Sequence, residues 1–103
     1  MNSKLVCSLL LVCAVGGCSA SLYMPTERDA SHAESLDALL RGRELYVRHC
    51  GSCHNLHPPE RFSESRWREV MPDMQRRAKI SDEDARHVLQ YVLTGIRIAE
   101  NKR

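Results

Sequence analysis

The sequence predicts an all-α domain of about three main helices. Three observations predict it. Apolar residues recur at helical spacing in three segments, a serine stands ahead of each segment as a helix cap, and no segment alternates in the manner of a strand.

The first helix is expected from Ser35 or Leu36 to His49. Ser35 serves as its N-cap, and Asp37 in the first turn suits the positive end of the helix dipole. Leu39, Gly42, Leu45, Tyr46 and His49 fall on one face. Gly42 costs a helix interior about 1 kcal/mol relative to alanine. A glycine kept there implies that something approaches closely. Asn55 to Phe62 contains Pro58-Pro59 and reads as a loop.

Ser63 then caps a second helix with Glu64 at its start, and Trp67, Val70, Met71, Met74 and Ala78 form its apolar stripe. Pro72 falls inside that stripe and is expected to kink or split the helix, because it removes a donor and crowds the preceding turn. Ser81 caps a third helix, whose first turn carries Asp82, Glu83 and Asp84. Val88, Tyr91 and Val92 are its buried face, with Leu89 at the shoulder. Thr94-Gly95 is expected to end it, with Ile96 and Ile98 packing after the stop.

Ahead of these helices the chain changes character. Lys4 is followed by an apolar run from Leu5 to Val15, the pattern of an export signal and too short to span a membrane as a helix. Val15-Gly16-Gly17-Cys18 resembles the lipobox of bacterial lipoproteins, in which the cysteine is acylated and becomes the mature N-terminus. Residues 1–17 are thus expected as a lipoprotein signal peptide. Residues 18–34 are mostly small or polar and lack apolar periodicity, which predicts a flexible tether. The domain is expected over 35–99, with a frayed tail at 100–103. Ser19 carries no retention signal for the inner membrane, which leans toward an outer-membrane anchor facing the periplasm.

The formal charge is +2, and removal of residues 1–17 takes away only Lys4. A near-neutral chain with one Trp and one Phe makes no case for nucleic-acid binding. The five cysteines sort by position. Cys7 and Cys13 lie in the signal and Cys18 is the lipid site, which leaves Cys50 and Cys53. A disulfide between two residues so close would close a tiny loop and stabilise little. A zinc site lacks a second cysteine pair, and a thioredoxin-like redox pair lacks its βαβ context.

Cys50-Gly51-Ser52-Cys53-His54 is instead the attachment signature of c-type haem. Each thiol adds across one vinyl group of the porphyrin. The two intervening residues let one turn of chain present both sulfurs to the same edge, and the histidine that follows reaches the iron. One covalent haem c is therefore expected, with its propionates bringing the mature chain close to neutrality. Folding of roughly 65 residues is marginal on apolar burial alone, so the haem-free chain is expected to be largely unfolded.

Around this motif the sequence resembles the class I cytochrome c family, from about Leu36 to Leu93. Gly42 and Tyr46 match the Gly-x-x-x-aromatic pattern of the helix entering the haem site, and Tyr91 matches the aromatic of the terminal helix. The resemblance implies a small bundle around a covalent haem, with these two helices crossing at the glycine. It also implies Met74 as the distal iron ligand opposite His54, with Met71 as the alternative. A thioether ligand favours ferrous iron and suits a carrier. A carbonyl at Pro58 or Pro59 is expected to accept from the ring of His54, and Trp67, Arg66 and Arg68 to reach the propionates. His32, His49, His57 and His87 are expected at the surface.

Such a protein would pass single electrons between periplasmic or membrane redox partners and need no catalytic residue. Two other readings stay open: a haem that binds diatomic gases, and a haem subunit held permanently in a dehydrogenase or oxidase.

Overall fold

The structure is a computed structural model, and it describes residues 22–50 and 56–103. Among these the chain is all-helical. Helix α1 is Leu36–Leu45, α2 is Glu64–Ala78 and α3 is Asp82–Asn101. Short 3₁₀ turns at Asp29–His32 and Pro59–Arg61 join the set, together with a π turn at Tyr46–Cys50. No strand occurs among the described residues, and none of their helices is long and apolar enough to cross a membrane.

All three serine caps form. The Ser35 hydroxyl accepts from the Ala38 amide at 3.0 Å, Ser63 from Arg66 at 3.2 Å and Ser81 from Asp84 at 3.0 Å. Each satisfies one of the amides a helix start leaves without a partner. Between α2 and α3 the chain reverses through Lys79, which adopts the left-handed conformation at φ 57°. That conformation lets the Lys79 and Ile80 amides bond back to Arg76 and Gln75.

α3 packs along α1 and, less extensively, along α2, whereas α1 and α2 barely touch. The crossing of α1 and α3 explains Gly42. A Cβ there would stand 2.1 Å from the His87 carbonyl oxygen and 2.9 Å from the Tyr91 Cβ. Only a residue without a side chain lets the two backbones meet at this distance, which outweighs its helix-propensity penalty. Leu39, Leu45, Tyr46, Val88, Tyr91 and Val92 are buried about this contact, with Trp67 and Met71 arriving from α2.

Several expectations are corrected. α3 does not stop at Thr94-Gly95. Both residues are buried and the helix continues to Asn101, so Ile96, Ile98, Glu100 and Asn101 are helical rather than linker or tail. Gly95 is another close approach: a Cβ would meet Pro59 and the ring of Tyr23 at 2.8 Å. Pro72 does not split α2. It lies on the exposed face, where water can satisfy the carbonyl left without its helical donor, while Trp67 and Met71 stay buried on the other side. α1 holds α geometry only to Leu45 and then widens into the π turn that ends at Cys50. Such turns are found mostly at functional sites.

Residues 22–34 are not a tether. The Tyr23 ring stacks on Tyr91 with centroids 4.5 Å apart, and the two residues exchange hydrogen bonds from each hydroxyl to the other's carbonyl, at 2.5 and 2.9 Å. Arg43 also donates to the Tyr23 carbonyl at 3.2 Å. Farther along, Glu34 pairs with Arg86 and Gln90 of α3. Two aromatic faces and this many bonds bind the arm as part of the domain.

His87 is likewise not a surface residue. Its Nδ1 is buried and lacks a hydrogen-bond partner among the described residues.

Candidate haem site

Cys50 ends the π turn and is half-buried beside a partly open cavity of about 250 Å³. The walls come from three segments. Tyr46 and Cys50 close the α1 side, Leu56, His57 and Phe62 come from the double-proline loop, and α2 contributes Arg66, Trp67, Val70 and Met74. Among the described residues the lining is almost wholly apolar or aromatic, with Arg66 its only arginine or lysine.

Two ring hydrogen bonds set the loop against the helices. The Tyr46 hydroxyl donates to the His57 carbonyl at 2.6 Å, and the Trp67 Nε1 donates to the Pro59 carbonyl at 2.8 Å. Burial, and then the neighbouring Cys50, hold the Tyr46 hydroxyl well above its ordinary range, so it stays a donor. The rings themselves interlock. Tyr46 meets Trp67 edge-on at 5.9 Å, Trp67 meets Phe62 at 5.7 Å, and Phe62 meets His57 at 5.4 Å.

Burial pushes the Cys50 thiol up to about 11. A thiol–disulfide exchange centre needs the opposite, a thiolate stabilised near neutral pH. No cluster of His, Cys, Asp and Glu able to hold a metal ion occurs among the described residues. The raised thiol weighs against a redox pair at this cysteine.

Met74 and Met71 part company. Met74 lines the cavity that Cys50 lines, whereas Met71 is buried in the core with Leu45, Trp67 and Val88 and is absent from the cavity wall. A methionine in that setting is a filler of irregular space. Of the residues expected near propionates, Arg66 lies at the cavity and pairs with Glu69 at 3.3 Å. Arg68 pairs with Glu64 and is not among the lining residues. The Trp67 N–H is committed to Pro59, so it is no free donor for a propionate.

His57 is a wall residue rather than a surface one. Leu56 and Phe62 had not been singled out for the site, although two large apolar residues flanking Pro58-Pro59 were the available signal. Cys53, His54 and Cys18 lie outside the described residues, as do the expected signal peptide and the hydrogen bond from His54.

The residues present fit a haem. A thiol and a thioether border one apolar, aromatic-walled space with a guanidinium at its edge, the donor chemistry that thioether attachment, axial ligation and a propionate require. The comparisons support a c-type cytochrome, though not the class I family in particular. The family model for dihaem cytochrome c matches residues 46–102, which takes in the π turn, the attachment signature, α2 and all of α3. Neither the curated proteins nor the solved structures give a match.

Proposed function

Because the chain belongs to the dihaem cytochrome c family, we propose that it is an exported, lipid-anchored carrier of single electrons holding one covalent haem. The family supports haem and electron transport. The count of one rests on the sequence, which contains a single Cys-x-x-Cys-His. Attachment is through Cys50 and Cys53 with His54 as proximal ligand, and Cys18 carries the lipid. In this reading the haem supplies a one-electron ferric–ferrous couple.

The observation that carries the proposal is the shared wall of Cys50 and Met74. The chain itself acts in three ways. Tyr46 and Trp67 hold the loop backbone at His57 and Pro59, Leu56, Phe62 and Val70 exclude water, and Arg66 offers a charge to a propionate. Met74 would offer the iron a thioether, which would suit a carrier rather than a gas-binding protein. No residue is assigned a catalytic role, and the partners are redox proteins at the periplasmic face of the membrane.

Carbon monoxide tests the assignment. The ferrous spectrum of the wild type should be indifferent to the gas, Met74→Ala should bind it rapidly and completely, and Met71→Ala should behave as wild type. Rapid binding by the wild type would move the protein to the gas-binding class. The mass of the exported protein tests the remainder, since one haem and an acylated Cys18 are expected and two haems would refute the count.

A further inference from the structure

Beside α1, apolar side chains of the arm, the helix and the π turn are left uncovered among the described residues. Met24 is 57 % exposed, Leu40 37 % and Val47 41 %, and with Arg43, Glu44 and Arg48 they border one shallow depression. Scattered apolar residues at a surface mean little, but three on one depression that joins the arm to α1 are unusual for a domain this small. None of these residues lines the haem cavity.

Chain length says what covers them. The arm is locked to the domain through Tyr23, whose ring stacks on Tyr91 and whose carbonyl receives both Tyr91 and Arg43. Three residues separate Cys18 from Leu22, and the four Cα-to-Cα steps between them can span no more than about 14 Å. With acyl chains on Cys18 the domain cannot stand away from the bilayer, and the segment nearest the anchor is the one that bears Met24. We infer that the Met24–Leu40–Val47 face lies on the lipid headgroups and seats the domain in one orientation, with the haem cavity left open to partners in the aqueous phase.

The inference rests on the lipid-anchor reading. Arg43 is committed to the Tyr23 carbonyl, whereas the exposed Arg48, paired with Glu44 at 2.8 Å, can lay its stem along the interface and exchange that partner for an anionic headgroup. Met24, Leu40 and Val47 would enter the interfacial layer, where apolar side chains are stabilised. A stiff arm thereby does what a flexible tether could not: it ties the site of lipidation to one face of the domain.

Spin labelling tests this on the mature, haem-loaded lipoprotein. With Cys18 acylated and Cys50 and Cys53 bonded to haem, a cysteine introduced by Met24→Cys, Leu40→Cys or Val47→Cys is the only free thiol. Arg77→Cys is the reference, because Arg77 is 79 % exposed on α2, which barely touches α1. In vesicles of phosphatidylethanolamine and phosphatidylglycerol, labels at 24, 40 and 47 should be several-fold less accessible to a water-soluble nickel chelate than the label at 77. They should also be more accessible to dissolved oxygen. Labels at 40 and 47 as open to nickel as that at 77, in protein whose mass shows the acyl group, overturn the inference and leave the anchor standing. Label–label broadening that disappears on dilution with unlabelled protein assigns the face to a second copy and overturns it too. Wild-type protein that lacks the acyl group and washes off membranes removes the anchor reading and this inference together.

Discussion

Where α1 crosses α3, side chains are removed so that backbones can meet. At the other end of α1, side chains of α2 stop short of the π turn and leave a cavity. The crossing is filled by the chain's own residues: Gly42 sits against the His87 carbonyl, and Tyr23 closes the outer side by stacking on Tyr91. The cavity side brings Cys50, Val70 and Met74 to one space without filling it. One interface is finished by the chain and the other is left for a porphyrin to finish. All five aromatic residues of the sequence run between them, from Tyr23 through Tyr91, Tyr46 and Trp67 to Phe62, so the two sides share one core.

Removing the haem probes the contrast hardest. The double variant Cys50→Ala/Cys53→Ala should lose most of its helical circular-dichroism signal, because a domain this small with an open cavity buries too little apolar surface to order its chain. Near-native helicity in that variant would show that the α1–α3 crossing stands without the cofactor. The next largest effect is expected from Gly42→Ala in the haem-loaded protein. Its Cβ meets backbone, which cannot swing aside. Overpacking costs about 3 kcal/mol, and about 1 kcal/mol returns through helix propensity. Urea denaturation should show a net loss of about 2 kcal/mol.

What could be read from the sequence, and what could not, follows the range of each interaction. The serine caps and the apolar stripes act within one or two turns, and the helices appeared where those signals placed them. Gly42 was legible as a close approach because a helix-interior glycine has few other reasons to be there. Gly95 was misread as a stop, since a glycine near a helix end looks the same whether it caps or makes room. Its reason lies with Pro59 and Tyr23, both distant in sequence. The arm failed for the same cause: Leu22-Tyr23-Met24 is a short apolar run with no periodicity to assign it, and the partner of Tyr23, Tyr91, is 68 positions away. At the site, the spacing from Trp67 brought Met74 to notice, but the separation of Met74 from Met71 depends on where α3 buries the stripe. The clamps on His57 and Pro59 are side-chain-to-backbone bonds, which leave no mark in the sequence.

Trp67→Phe sharpens the comparison at the point where the two sides share a residue. It keeps most of the ring packing against Tyr46 and Phe62 but deletes the donor to the buried Pro59 carbonyl. The lost bond and the small void should together cost about 2 kcal/mol in the urea titration. The cavity side should respond first, seen as increased carbon monoxide binding by the ferrous protein as Met74 loosens. A stability loss with an unchanged closed site would mean that the loop is held by the covalent attachment instead of by Trp67.

The smallest effect belongs to the outer end of the crossing. The Glu34 side chain receives Arg86 and Gln90 of α3, and its amide donates to the Gln90 side chain at 3.0 Å. The hydrogen bond from Arg86 first, and that from Gln90 next, hold the carboxyl below its ordinary range. A carboxylate so lowered stabilises the fold wherever the unfolded chain would also have ionised, and that contribution fades as pH falls through the folded-state value. Glu34→Gln should therefore melt slightly below wild type at neutral pH, and the gap should close as the pH drops below about 4. Added salt should narrow it as well, because both side chains of the pair are exposed to solvent. A gap that persists unchanged in acid would assign the effect to the Gln90 contacts rather than to charge. The arm would then be held by its hydrogen bonds and by Tyr23 alone.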